Sequence, residues 1–149
     1  MPTDEAFCIF EARLPADLPL IRTVRHTVFI DEQRIPAVME WDGLDDVCSH
    51  ALALSDSGTT IGTGRLSSDG RIGRMAVLPG WRNRGVGIAI LEMLLQHACR
   101  NGYLRVTLDA QRAVTGFYSK AGFTGTGAIF MKAGIEHVPM EKILFIVNN

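Results

Sequence analysis

The stretch that decides the fold is Met75-Ala76-Val77-Leu78-Pro79-Gly80-Trp81-Arg82-Asn83-Arg84-Gly85-Val86-Gly87-Ile88-Ala89. It begins as an apolar segment, breaks at Pro79-Gly80 and enters a short loop that carries two arginines and two glycines. From Gly85 onward, apolar residues recur at helical spacing until Asn101-Gly102 ends the pattern. We therefore predict a strand, a tight loop and a long helix in direct succession.

The loop at the start of this helix has the features of a phosphate-binding site. The first turn of a helix presents unpaired N–H groups and the positive end of the helix dipole, and both attract an anion. Gly85 and Gly87 let the backbone approach a phosphate closely, while Arg82 and Arg84 add positive charge. The segment therefore predicts a local anion site.

Two other kinds of phosphate loop are excluded by the residues after the glycines. A Walker loop needs Gly-Lys-Ser/Thr, but Gly87 is followed by Ile88-Ala89. A dinucleotide fingerprint needs a third small residue at position 90, which is occupied by Ile90.

The rest of the chain predicts a mixed α+β fold. Alternating apolar residues and turn signals upstream predict a strand, a helix and a three-strand meander, over Phe7–Arg13, Leu18–Ile30, Ser49–Ser55, Thr60–Ser67 and Arg71–Leu78. Downstream we predict the strand Leu104–Leu108, the helix Ala113–Ala121 and the final strands Phe123–Met131 and Ile143–Val147. One crossover makes the strands around Leu78 and Leu104 parallel neighbours.

Composition narrows the functional classes. The 149 residues suit one domain, so we expect residues 1–149 to form a single unit. A net charge of -1 does not indicate nucleic acid or a membrane surface as a partner. Three widely spaced cysteines without a CxxC pair do not indicate a disulfide framework or a zinc site. The acidic N-terminus and the lack of a long apolar run lead us to expect a cytoplasmic protein.

Two motifs give the chain a family resemblance. Arg82-Asn83-Arg84-Gly85-Val86-Gly87 resembles the Gln/Arg-x-x-Gly-x-Gly/Ala pyrophosphate loop of the GCN5-related N-acetyltransferases (GNAT family), and it follows a Met-Ala-Val strand as it does there. Phe117-Tyr118-Ser119-Lys120-Ala121-Gly122-Phe123 resembles the Phe-Tyr-x-x-x-Gly-Phe segment of that family. The fold implied is a twisted, mostly antiparallel sheet of six to seven strands flanked by about four helices, with one splayed parallel pair.

The resemblance also implies a coenzyme site for acetyl-CoA. The pantetheine arm would lie along Met75 to Val77, and the diphosphate would sit on the N–H groups from Arg84 to Ile88 beside Arg82. Gln111 stands where the family often has a pantetheine-contacting asparagine, and Tyr118 would protonate the leaving thiolate. The coenzyme-binding residues implied are Met75, Ala76, Val77, Arg82, Asn83, Arg84, Gly85, Val86, Gly87, Ile88, Gln111 and Tyr118.

The acceptor side and the general base stay open. The N-terminal half resembles an uncharacterised bacterial subgroup of the family, and also acyl-homoserine lactone synthases, through segments such as Val24–Pro36. Candidate acceptor-binding residues are Arg25, Phe29, Glu32, His50, Arg65, Arg74 and His137. The strand before the loop, Arg71–Val77, lacks the glutamate that many family members use as a base. The candidates for that role are Glu32, His50, Asp109, His137 and a water chain.

The function we predict is transfer of an acetyl group from acetyl-CoA to a primary amine of a small molecule. Attack would be direct, in a ternary complex, with the oxyanion held by a backbone N–H near Val77. The alternatives are a non-catalytic acyl-CoA-binding regulatory module and an acyltransferase like the lactone synthases. We expect no metal, since Asp45-Asp46 alone is too few ligands and is predicted to be solvated. The oligomeric state, a homodimer included, stays open.

Overall fold

Two four-stranded sheets form the centre of the molecule in the computed structural model, which describes residues 5–144. The first sheet has the order β1-β2-β3-β4, formed by Phe7–Glu11, Ser49–Ser55, Thr60–Leu66 and Ile72–Val77. The second has the order β5-β8-β6 with β7 also paired to β8, and its strands β5 to β8 are Arg105–Gln111, Thr124–Gly125, Phe130–Lys132 and Ile135–Ile143. Strand pairs within each sheet are antiparallel.

Helices cover both faces of the first sheet. The helices that pack on it are α1 (Leu18–Arg25), which continues as a π-helical turn over His26–Glu32, here called the π segment, and α3 (Val86–Arg100). Two short helices, α2 (Ala37–Glu40) and α4 (Thr115–Lys120), follow the π segment and β5 in the chain. On β2, Leu52 packs with Leu18 and Ile21 of α1, whereas its neighbours Ala51 and Ala53 belong to the core around α3. Successive strand side chains point to opposite faces, so α1 and α3 lie on opposite sides of the sheet.

Glycines on β3 allow α3 to lie close to the sheet. A Cβ on Gly62 would lie 2.8 Å from Ile90 Cδ1, and one on Gly64 would lie 2.6 Å from Met75 Sδ and 2.8 Å from Ile90 Cγ2. The buried face of α3 consists of Val86, Ile90, Leu91, Leu94 and Ala98, which matches the predicted periodicity. The two glycines therefore fix the position of the helix that follows the loop.

A β-bulge bends β4 at the centre of the molecule. Between the Thr63–Ala76 and Arg65–Gly73 pairs, β3 has one residue and β4 has two. The first of those two, Arg74, has φ of +52°, a left-handed conformation that non-glycine residues seldom adopt. An extra residue of this kind bends the strand and increases its twist. The bulge thus turns the end of β4 away from β5, the strand on the side opposite β3.

The neighbour on that side is β5, and the two strands diverge from a common start. Thr107 N–H donates to Gly70 C=O at 2.9 Å, and Arg71 forms a parallel bridge with Thr107. Within residues 5–144 no later pair joins β4 to β5, so a cleft opens between them. The predicted mixed α+β class is confirmed, with a mostly antiparallel arrangement.

The predicted C-terminal strands were wrong in their positions. Phe123–Met131 is two short strands, β6 and β7, and the last described strand is Ile135–Ile143, whereas most of the predicted Ile143–Val147 lies outside the described residues. Proline usually argues against a central strand because it lacks an N–H donor. Here Pro139 C=O accepts from Thr126 N–H at 2.8 Å, at the break between the β6 and β7 pairings, so the missing donor falls where no strand needs it.

Candidate active site

The cleft between β4 and β5 has a volume of about 1630 Å³. Its walls come from β4, β5, the loop before α3, α4, the π segment and the segment around α2. Of the predicted coenzyme-binding residues it is lined by Met75, Ala76, Val77, Arg82, Asn83, Gly85, Gly87, Ile88, Gln111 and Tyr118. The fold therefore brings the two sequence motifs to one cavity.

The end of β4 directs backbone groups into this cleft. Leu78 N–H donates to Ile61 C=O on β3 at 2.9 Å. Residues of an antiparallel pair alternate in the direction of their polar groups, so the preceding residue, Val77, points its N–H and C=O away from β3. Arg82 Nε–H donates to that Val77 carbonyl at 2.9 Å. The Val77 N–H thus faces the cleft on the same edge.

Two residues of the loop before α3 have a left-handed backbone conformation. Asn83 has φ of +61° and Gly85, the residue before the helix, has φ of +87°. The Gly85 carbonyl accepts the helical bond from Ala89 N–H at 3.1 Å, so the earlier N–H groups of this turn have no intrahelical partner. A Cβ on Gly87 would lie 3.5 Å from the Phe117 ring, on the cleft side. The first turn of α3 therefore opens onto the cavity.

The two arginines of the loop have different surroundings. Arg82 forms two hydrogen bonds of 2.7 Å with Glu32 at the end of the π segment. The charge and hydrogen bonds of Arg82 hold the pKa of Glu32 below its usual value. Arg84 lies over the Trp81 ring at 4.0 Å and donates to the Glu5 carbonyl at 3.1 Å. Arg82 is thus on the cleft wall, whereas Arg84 is directed to the β1 side.

Tyr118 lies in the cleft wall on the α3 side of the molecule. Its ring makes edge contacts with Phe117 at 5.0 Å and Phe123 at 5.8 Å, and it belongs to the same core cluster as α3. Burial raises the pKa of Tyr118 to about 12. The phenol is therefore a neutral proton donor at every ordinary pH.

The opposite wall carries an amide pair and a histidine. Gln111 at the end of β5 donates to Gln33 Oε1 at 2.9 Å, which ties β5 to the chain just after the π segment. His137 on β8 is paired with Gln111 in the ladder, so the two side chains share the α1 side of the second sheet. His137 Nδ1 lies 2.8 Å from Ile135 O, and the ring stacks on Phe130 at 5.8 Å.

Comparison with known proteins identifies the family. The model of the acetyltransferase (GNAT) domain matches residues 25–144. The chain belongs to the GNAT family. Members of this family transfer acyl groups from acyl-CoA, so the GNAT resemblance of the two motifs is confirmed at the level of the family.

Individual relatives agree with this membership. The uncharacterized N-acetyltransferase YjcF of Bacillus subtilis (strain 168) is 34% identical over 123 residues, which cover 80% of this chain and 87% of that protein. An acyl-CoA N-acyltransferase structure from Pseudomonas aeruginosa is 28% identical with a TM-score of 0.78, covering 92% of this chain and 99% of that one. A GNAT acetyltransferase structure from Elizabethkingia anophelis with acetyl-CoA bound shares the fold at 19% identity, with a TM-score of 0.68 and coverage of 93% and 98%.

This GNAT chain has a partly buried ion cluster at the cleft wall, formed by Arg25, Glu40, Asp42, Asp45, Arg65 and Arg74. Arg25 is fully buried, with Nε 2.6 Å from Glu40 and Nη1 2.6 Å from Asp45. Arg65 donates to Asp42 at 2.8 Å and to Asp45 at 3.1 Å. The Asp45-Asp46 pair was predicted to be solvated, which is wrong for Asp45 because this carboxylate has two buried arginine partners.

Arg74 completes the cluster at the bulge. Its Nη2 lies 3.2 Å from Asp42, and its Nε lies 3.3 Å from Glu40 without the alignment of a hydrogen bond. Burial raises the pKa of Glu40 despite its arginine neighbours, whereas the hydrogen bonds from Arg65 hold the pKa of Asp42 far below its usual range. Three arginines and three carboxylates leave this wall with balanced charge.

The acceptor candidates fall into three groups. Phe29, Arg65, Arg74 and His137 line the cleft. Arg25 and His50 are buried in or beside the ion cluster, where His50 Nε2–H donates to Asp45 C=O at 2.9 Å. Glu32 is bonded to Arg82. Gln33 and Glu40 were not predicted as site residues, because the partners that hold them at the cleft, Gln111 and Arg25, are distant in the chain.

Two further properties concern metals and membranes. Among residues 5–144, no group of three or more His, Cys, Asp or Glu side chains is arranged so that it could hold a metal ion. Over the same range no helix is long and apolar enough to cross a membrane.

Proposed function

We propose that this protein is an N-acetyltransferase that moves the acetyl group of acetyl-CoA to a primary amine of a small molecule, with residues 1–149 acting as one domain. The observation that carries the proposal is the cleft between β4 and β5, which joins an anion-binding helix start to a buried phenol. Family membership supports acyl transfer from acyl-CoA. The acceptor class is our inference from the charge-balanced wall of the cleft opposite α3.

The loop and β4 fit an acyl-CoA molecule. The first turn of α3 offers N–H groups and a positive dipole end to the diphosphate, and Arg82 flanks that turn. The unpaired edge of β4 near Val77 offers backbone N–H and C=O groups to the pantetheine amides, which would bind as an added strand does. The left-handed Gly85 and the open position at Gly87 leave the backbone accessible.

Tyr118 is positioned to supply a proton to the departing sulfur. It lies on the α3 side of the cleft, where the coenzyme would run, and its raised pKa keeps the hydroxyl protonated. A phenol in this state is a suitable donor to a thiolate formed near neutral pH.

The test combines binding and turnover. We expect acetyl-CoA at millimolar concentration to raise the melting temperature, because a ligand specific to the native state stabilises it by mass action. We also expect thiol release when acetyl-CoA is offered a panel of primary amines. Binding without thiol release for any amine would favour the non-catalytic module, and the absence of both would remove the proposal.

A further inference from the structure

We propose that His137 is the general base of this enzyme and takes the amine proton at Nε2. The inference rests on the proposed function and deepens it by assigning the role that β4 leaves vacant, since Arg71–Val77 has no carboxylate.

The tautomer of His137 is set by its own strand. A carbonyl oxygen only accepts, so the 2.8 Å contact between Nδ1 and Ile135 O places the ring proton on Nδ1. The lone pair of the neutral ring is then on Nε2. Among residues 5–144, no hydrogen bond engages this second nitrogen. The stacked Phe130 ring and the surrounding burial hold the imidazole in one orientation.

The position of His137 suits an acceptor that enters from the α1 side. His137 lines the cleft and pairs with Gln111, which is bonded to Gln33 after the π segment. Tyr118 lies on the other side, within the α3 core. A base and an acid on opposite sides of the β4–β5 opening match the two proton transfers of the reaction, one from the amine and one to the sulfur.

The proton balance is complete with these two residues. The amine nitrogen forms the new N–C bond, the C–S bond breaks, and an N–H proton passes to His137 Nε2. The Tyr118 hydroxyl gives its proton to the sulfur. Solvent then returns both side chains to their starting states.

The other candidates are engaged elsewhere. Both carboxylate oxygens of Glu32 accept from Arg82. Asp109 is paired with Arg71 and lies 3.7 Å from Lys132.

His50 is also a poor candidate for the general base. Its Nε2–H is directed to a backbone carbonyl, and burial lowers its pKa, with Arg25 and Arg65 adding to that effect, so it is a weaker base than an ordinary histidine.

The charged groups around His137 are paired among themselves. On β8, Glu136 is bonded to Arg112 at 2.6 Å. On β5, Arg105 is paired with Glu141 at 3.5 Å, and Asp109 lies 3.7 Å from Lys132 of β7, while β6 has no titratable side chain. From the chain after the π segment, the neutral Gln33 approaches β5, where it is bonded to Gln111.

The experiment compares His137→Asn with His26→Asn. Asparagine retains a donor near the Nδ1 position and removes Nε2, whereas His26 is an exposed histidine at the start of the π segment. We expect kcat/KM of the His137 variant to fall by about 10²-fold or more, with an unchanged coenzyme-induced thermal shift. The His26 variant should retain the wild-type kcat/KM.

Rescue separates a chemical role from a structural one. Added imidazole should restore turnover to His137→Ala but leave Tyr118→Phe unchanged. A wild-type kcat/KM in His137→Asn would overturn this inference alone. No thiol release from the wild-type protein with any amine would overturn the proposed function, and this inference with it.

Discussion

At the scale of single residues, burial makes Tyr118 a different acid from an exposed tyrosine. The low-dielectric surroundings of Phe117, Phe123 and the α3 core disfavour the phenolate, and so the pKa rises to about 12. The proton is therefore present throughout the pH range in which the protein can be assayed. The proposed donor role of Tyr118 therefore does not require a neighbouring charged group to change its pKa.

Tyr118→Phe tests that role with little change in packing. Removing the hydroxyl keeps both edge contacts of the ring, so we expect acetyl-CoA affinity to change little. Turnover should fall by about 10²- to 10⁴-fold, the usual size of a general-acid contribution. Tyr103→Phe, which alters the other tyrosine of the chain, is the matched control. A loss smaller than about fivefold would mean that Tyr118 only packs or orients the coenzyme.

At the scale of elements, we expect coenzyme binding to depend on the start of α3. Gly87 has no steric need to be glycine within the protein, because a Cβ there would make only ordinary contacts with Phe117 and Val77. A glycine at this position leaves the cleft side of the first turn of α3 free of a side chain. A side chain at this position would occupy the space in front of the first helical N–H groups.

Gly87→Glu should abolish the thermal shift produced by acetyl-CoA. The new carboxylate repels the diphosphate and fills its place, yet acidic residues in a first helical turn favour the helix, so the fold should persist. Gly80→Glu is the control, since it puts the same charge in the preceding turn, where nothing lies within 4 Å of the new Cβ. An unchanged shift in the Gly87 variant would place the phosphates elsewhere.

The elements also show why some parts of the site could be predicted from the sequence. The strand, loop and helix around Gly85 are specified by residues close together in the chain, and the structure places α3 at Val86–Arg100 as expected. The β8 strand was misplaced because Pro139 argues against a strand unless the gap between β6 and β7 is known. The bulge at Arg74 likewise depends on the register with β3, which periodicity does not reveal.

At the scale of the whole molecule, the ion cluster joins segments that are distant in the chain on one wall of the cleft. Arg25 on α1 reaches Glu40 and Asp45, which are 15 and 20 residues away in the chain. Such pairs have no local sequence signal, and so Asp45 was predicted to be solvated and Arg25 was predicted only as a candidate acceptor-binding residue. The cluster connects α1 and the segment after α2 to the bulge in β4 through Arg74.

Arg25→Leu should destabilise the protein by about 3–5 kcal/mol at neutral pH, because removing one partner leaves Glu40 and Asp45 charged and buried without it. Burial alone would raise the pKa of Asp45, but Arg25 and Arg65 outweigh it, so the net pKa is lowered. In the wild type, pairing of the ionised Asp45 with the two arginines stabilises the fold above the ordinary pKa of aspartate. This stabilisation is lost as the pH falls through the lowered pKa of folded Asp45. In the variant, the effect of burial on Glu40 and Asp45 is no longer offset by Arg25, so we expect the pKa of each carboxyl to rise. Acid then favours the folded form with these carboxyls protonated.

The difference in unfolding free energy between the two proteins should therefore shrink from pH 7 to about pH 4. Urea denaturation at both pH values measures it. Arg22→Leu, one turn earlier on α1 and 6.0 Å over the Trp41 ring, should cost less than about 1 kcal/mol because that arginine is exposed. An Arg25 variant as stable as the Arg22 variant at pH 7 would mean that the buried carboxylates find other partners. A difference that does not change with pH would mean that packing, rather than charge, sets the cost.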